Sequence, residues 1–278
     1  MQQTSSADRA ATPIPRLPTA RGPVTVPRPV PDAAVRLFLF HHAGGSHRLY
    51  LGWEREFPAD WELCLVDAPG RGRLLGRPLI GTCDRLVDYF LGELEPWMDR
   101  PFAFFGHSMG ALVAYELTRR LVEEERPLPL WAGLSSRGAP RERAATASRG
   151  RHEWTDAELR DWLRSVGGTP DKVLDSARLW KAFGPVFRND FALVDTWRPV
   201  PDSEPLPVPL AAFGGTEDDL VERARLAAWA GHTQRFSGPH LHSGGHFYLQ
   251  RHRRAIARRI TEAVTVPPRT PSAAGARS

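Results

Sequence analysis

The sequence predicts an α/β fold with a mainly parallel central sheet, helices on both faces, and an all-helical insertion late in the chain. Three observations carry this. Short apolar runs alternate with helical patterns along most of the 278 residues, the order expected of strands joined by crossover helices. One apolar run ends in a glycine-flanked serine and passes straight into an amphipathic helix. The alternation then stops between about residues 139 and 205, where helical segments follow one another with no strand between them.

Taken in order, the strands are expected at Val35 to Phe40, Glu62 to Val66, Phe102 to Phe105, Leu130 to Leu134 and Pro209 to Phe213, with a weaker one through Gln234 to Leu241. Helices are expected at Met109 to Glu124 and Phe247 to Val264. The insertion reads as a lid. Its first helix starts on Thr155-Asp156-Ala157-Glu158, a capping box, followed by Leu159, Trp162, Leu163 and Val166 at helical spacing. Two more helices are expected at Lys172 to Phe183 and Pro185 to Trp197, divided at the proline. Residues 1–33 are rich in Pro, Arg, Thr and Ala without apolar periodicity and read as a disordered arm, as does the tail 267–278. The domain is therefore expected over 34–266.

Composition narrows the function classes. The net charge of +5 comes almost wholly from arginine. No zinc-ligand spacing, aromatic RNA-binding motif or concentrated basic tract accompanies it, so nucleic acid is not an expected partner. The run Arg251 to Arg259 has Ile256 and Ile260 on one side and reads as the solvated face of a helix. No apolar stretch is long enough to span a bilayer, no membrane partner is expected, and the N-terminus lacks the apolar segment of a secretory signal. Cys64 and Cys83 are too few for a disulfide framework. The expected location is cytoplasmic.

The chemistry lies in Phe102-Ala-Phe-Phe-Gly106-His107-Ser108-Met109-Gly110. A serine between two glycines at a strand-to-helix turn is exposed at the carboxyl end of the sheet, and the glycines let the backbone pass close to it. Its hydroxyl needs a base and an orienting acid, which follow it in the chain as acid and then histidine in this arrangement. Asp218 comes after the strand Pro209 to Phe213, and His246 after the last strand. Glu217 and Asp219 flank the acid, but Gly215-x-x-Asp218-x-x-Val221 favours Asp218. Backbone N–H groups for an oxyanion are expected from Met109, next to the nucleophile, and from Ala43 in the Gly-rich loop His41-His42-Ala43-Gly44-Gly45. His42 and His107 read as pocket wall. His240 and His242 face one way but have no further ligand spaced for zinc, so no metal is expected. Gly70, Gly72 and Gly76 miss the dinucleotide spacing, and no cofactor is expected.

These motifs resemble those of the type II thioesterases, the stand-alone editing enzymes of polyketide and non-ribosomal peptide synthases, which have the α/β-hydrolase fold. The resemblance covers about residues 34–264. It rests on Phe40-His-His-Ala-Gly-Gly-Ser46, Asp67-Ala-Pro-Gly-Arg71, Gly106-His-Ser-Met-Gly110, Arg188-Asn-Asp-Phe-Ala-Leu-Val194, Gly214-Gly-Thr-Glu-Asp218 and Gly244-Gly-His-Phe-Tyr-Leu249. It implies hydrolysis of acyl groups from the phosphopantetheine arm of an acyl or peptidyl carrier protein, with Ser108, Asp218 and His246 as triad and Ala43 and Met109 at the oxyanion. Thioesterase domains fused to synthases often carry their acid directly after the strand that follows the nucleophile. Ser135-Ser136 stands at that position here, which favours the stand-alone type. The family often has proline where His41 and Asp219 stand. A general carboxylesterase or an acyltransferase would use the same constellation. In the lid, Phe187 and Phe191 are expected to line an acyl channel. Arginines among Arg137, Arg141, Arg143 and Arg188 are expected to steer the carrier protein.

Overall fold

The structure is a computed structural model that describes residues 22–140 and 149–265. Seven strands form one sheet: β1 (Val24–Thr25), β2 (Val35–Phe40), β3 (Trp61–Val66), β4 (Phe102–His107), β5 (Ala132–Ser135), β6 (Leu210–Gly215) and β7 (Phe236–His242). Their spatial order is β1-β3-β2-β4-β5-β6-β7, and all neighbours are parallel except the antiparallel pair β1 and β3.

The six expected strands are all present, with ends shifted by a residue or two. A mainly parallel sheet is buried on both faces, and β2 shows it: Leu37 and Leu39 point to one side, Phe38 and Phe40 to the other, and all four are buried. The Phe38 side packs against α1 (Cys83–Leu94) and α2 (Met109–Glu123). The Leu37 side packs against α7 (Leu249–Ala263), where Ile256 and Ile260 are buried while Arg251, Arg254 and Arg258 face outward.

Between β5 and β6 lie α3 (Asp156–Val166), α4 (Asp171–Asp175) and α5 (Ala177–Thr196); α6 (Arg223–Ala227) follows β6. The capping box forms as expected: Thr155 N–H donates to Glu158 Oε2 at 2.6 Å, and Glu158 N–H donates to Thr155 Oγ1 at 3.3 Å. The expected break at Pro185 does not occur. A single α5 runs through it, and the break falls at Ser176, whose hydroxyl accepts from Leu179 N–H. Proline in a helix interior costs about 3 kcal/mol, whereas a buried Phe or Leu contributes about 1.5–3 kcal/mol each. Trp180, Phe187, Phe191 and Leu193, all buried on this helix, outweigh it.

The disordered arm expected through residue 33 is also corrected at its end. β1 pairs Val24 with Val66 and Thr25 with Leu65, Asp67 N–H donates to the Pro23 carbonyl, and Arg28 reaches the Pro58 and Trp61 carbonyls. A two-residue strand carries too little pattern to be seen against the prolines around it. The rest of the arm, the tail, Arg141 and Arg143 lie outside the described residues.

Candidate active site

Parallel pairing brings the strand ends to one edge: Phe40 lies beside Gly106, His107 beside Ser135, and Gly215 beside His242. Ser108 follows β4 at φ 56° and ψ −109°, a left-side conformation that a non-glycine residue adopts only under constraint. The constraint is visible. Ser108 N–H donates to the Ser135 carbonyl at 2.7 Å, and its own carbonyl accepts from Ala111 and Leu112 N–H as α2 begins. A Cβ on Gly106 would overlap the Gly110 carbonyl, and one on Gly110 would overlap the Phe40 carbonyl. Both glycines of the motif are thus required by backbone against backbone.

The β6 and β7 loops meet in the same way. Thr216 N–H donates to the His242 carbonyl at 2.8 Å and Glu217 N–H to the Gly244 carbonyl at 3.0 Å, while Gly215 leaves room that a Cβ would fill. This brings Asp218 to His246. His246 Nδ1 lies 2.9 Å from Asp218 Oδ2 and 3.1 Å from Oδ1, so the proton belongs on Nδ1 and Nε2 keeps its lone pair. Burial pushes the Asp218 carboxyl up. Hydrogen bonds from His246, Ser136 and Leu220 N–H, with the attraction of the imidazole, more than offset this and hold it below its ordinary value. Asp219 is exposed. Ser108 and His246 open on one cleft of about 430 Å³, which Ala43 and His42 also line.

The Gly-rich loop after β2 is tied down from the lid. Asp190 of α5 accepts from Gly44 N–H at 2.7 Å and from the two terminal guanidinium nitrogens, Nη1 and Nη2, of the buried Arg71. Its carboxyl is raised by burial but lowered further by Arg71, for a net shift downward. The N–H groups of Ala43 and Met109 donate to no acceptor among the described residues. His41 and His42 are held neutral, at about 4 and about 3, chiefly by burial, and each Nδ1–H donates to a neighbouring carbonyl. His42 packs on Phe247. His107 is not in position to replace His246, because its Nδ1 is hydrogen-bonded to Ser135 Oγ, which in turn meets the Tyr248 hydroxyl.

Of the lid aromatics, Trp162, Phe191 and Trp197 line the cleft. Phe187 does not: its ring lies over Gly44, stacked between Trp180 and Phe191. That corrects its expected place in an acyl channel, since glycine at φ 75° leaves a hollow that the ring fills. Arg188 is held by Asp156 and by the His152 and Trp154 carbonyls. Gly72 serves Asp67, whose carboxylate takes the space of a Cβ and accepts from His47 and Arg73 N–H. Sequence reasoning missed the linked pair Arg71 and Asp190, although both stand in the quoted motifs. Among the described residues, no group of three or more His, Cys, Asp or Glu side chains could hold a metal, and no helix is long and apolar enough to cross a membrane.

The thioesterase domain family model matches residues 35–264. The chain belongs to the thioesterase family. It is a hydrolase acting on thioesters, with the α/β-hydrolase fold. This thioesterase is 33% identical over 217 residues to the gramicidin S biosynthesis protein GrsT of Aneurinibacillus migulanus, covering 78% of this chain and 84% of the relative. It is 31% identical over 249 residues to the thioesterase PikA5 of Streptomyces venezuelae, covering 88% and 86%. Among solved structures, the type II thioesterase BorB from the borrelidin biosynthetic cluster superposes with a TM-score of 0.77 at 32% identity, over 87% of this chain and 98% of BorB. RedJ, the thioesterase of the prodiginine pathway in Streptomyces coelicolor, gives 0.75 at 28% identity, over 92% and 91%. The type II resemblance drawn from the motifs is borne out by these neighbours.

Proposed function

We propose that this thioesterase unloads acyl groups from the phosphopantetheine arm of carrier proteins in polyketide or non-ribosomal peptide synthesis, acting in the cytoplasm through an acyl-enzyme on Ser108. The observation that carries the reading is the 2.9 Å contact between His246 Nδ1 and Asp218, made beside a strained Ser108 that opens on the same cleft. The relatives' roles in gramicidin S and borrelidin biosynthesis support the substrate class.

His246 Nε2 removes the Ser108 proton as the hydroxyl oxygen attacks the thioester carbonyl, and Asp218 holds the imidazole in the tautomer this requires. The tetrahedral oxyanion accepts from the Ala43 and Met109 N–H groups, which donate to no acceptor among the described residues. Collapse expels the pantetheine thiolate, which takes the proton from His246. Water, activated by the same imidazole, then releases the acid. The scheme calls for no metal or cofactor.

The test is unloading of acyl carrier proteins followed by mass spectrometry. Ser108→Ala and His246→Ala are each expected to lower kcat by about 10⁴–10⁶ while the protein stays folded. Near-normal turnover by folded Ser108→Ala would overturn the mechanism.

A further inference from the structure

Two peptide planes meet at Ala43, and both are held. In the plane between His42 and Ala43, the carbonyl accepts from His41 Nδ1–H at 2.7 Å and from Gly45 N–H at 2.9 Å. In the plane between Ala43 and Gly44, the carbonyl accepts from His42 Nδ1–H at 2.9 Å, and the N–H donates to Asp190 at 2.7 Å. Of these four polar groups, the Ala43 N–H alone has no partner among the described residues. A peptide unit is planar and trans, so its N–H points opposite its carbonyl. Whatever fixes the His42 carbonyl therefore fixes the Ala43 N–H. A carbonyl has two lone pairs, and two donors meet this one.

His41 is set for that task by its own partners. Ala68 N–H donates to its Nε2 at 3.2 Å, so Nε2 carries a lone pair. The His42 carbonyl can only accept, so Nδ1 carries the hydrogen. The two contacts demand the same neutral tautomer. Burial, with repulsion from Arg71, keeps the ring neutral, at about 4. The ring is 3% exposed and is not among the residues lining the Ser108 cleft, whereas Ala43 lines it. His41 thus reaches the reaction only through the backbone. A proline, frequent in the family at this position, has no side-chain donor for the His42 carbonyl.

We propose that His41 is a positioning residue for the reaction: its Nδ1–H clamps the His42 carbonyl and so aims the Ala43 N–H at the oxyanion. The inference rests on the Ser108 mechanism above. An oxyanion exists only in the transition state and the tetrahedral intermediate, so a misdirected donor slows turnover without weakening substrate binding. His42 makes the matching bond to the next carbonyl, but it lines the cleft and would confuse the two effects.

The experiment follows hydrolysis of hexanoyl-pantetheine by three variants, each shown to be folded by thermal melting. Asn places its amide N–H near the site of Nδ1 and keeps a donor for the His42 carbonyl. Gln places its amide near the site of Nε2 and keeps only the Ala68 contact. Ala removes both. In His41→Gln and His41→Ala, kcat is expected to fall about 10- to 100-fold with KM within about twofold of wild type. His41→Asn is expected to restore kcat to within about threefold. Wild-type kcat in His41→Gln, or equal losses in Asn and Gln, would overturn the inference. A second measurement needs no turnover. Ser108 adds through its oxygen to the carbon of a hexanoyl-type trifluoromethyl ketone of pantetheine, its proton passing to His246 and the ketone oxygen becoming the oxyanion. The ketone is expected to bind His41→Gln about 10- to 100-fold more weakly than wild type, and the unreactive hexanoyl-pantetheine amide equally well. Equal loss on both ligands would mark a general disturbance of the site and overturn the inference. If the ketone bound wild type no better than Ser108→Ala, the Ser108 mechanism itself would fail, whatever the variants at 41 did, and the inference would fall with it.

Discussion

Asp218 and Asp219 are adjacent in sequence but not in environment. The first is buried against His246 and the second is exposed. An amide at 218 would offer His246 a donor where it needs an acceptor and favour the wrong tautomer, so Asp218→Asn is expected to lower kcat by about 10⁴. Asp219→Asn is expected to stay near wild type, and parallel kinetics on the two variants check this. The choice between them was legible from the glycine and valine spacing. Asp190 was not legible in the same way, because its role depends on Arg71, more than a hundred residues earlier. Its folded pKa lies below the ordinary 3.8. The stability that follows is therefore complete above the unfolded value and lost as pH falls through the folded one. Asp190→Asn, which leaves Arg71 buried and unpaired, is expected to cost about 3–5 kcal/mol at pH 7. The gap to wild type should narrow below about pH 4 as the wild-type carboxyl itself takes up a proton, measured by urea unfolding across pH.

The helix α5 shows why local rules read some elements well and others poorly. Where periodicity and capping agree, as at α3, the element falls where the pattern puts it. At Pro185 the local rule says stop, but the aromatic face continues across the proline and packing decides. Burial also separates two phenylalanines that the pattern treats alike. Phe187→Ala removes the ring over Gly44 and is expected to lower stability by about 3–5 kcal/mol, with kcat/KM falling by a similar factor on every acyl chain. Phe191→Ala opens the cleft wall and is expected to change the ranking of chain lengths. Thermal melts and a chain-length series on both variants distinguish these outcomes, and identical profiles would contradict the placement.

At the scale of the whole molecule, the sheet, its order of chemistry and the position of the lid all follow from alternation and from one strand–serine–helix turn. These are features that a single chain displays locally. What did not show is what joins distant segments: β1 across the edge of the sheet, and the lid onto the Gly-rich loop. A variant starting at residue 34 would lose β1, the Asp67 to Pro23 bond and the Arg28 contacts. At about 1 kcal/mol per buried hydrogen bond and about 2–4 °C per kcal/mol in a domain of this size, its Tm is expected to drop by several degrees against a variant starting at residue 22. The join between lid and loop has a consequence for how such an enzyme changes over generations. One helix supplies both side chains that line the cleft, Phe191 among them, and the carboxylate that braces the Gly-rich loop. Scope and speed are therefore inherited together. A lid borrowed from a sister enzyme to broaden the diet would bring its own brace, matched or mismatched to Arg71, and breeding for new substrates here means choosing lid and loop as a pair.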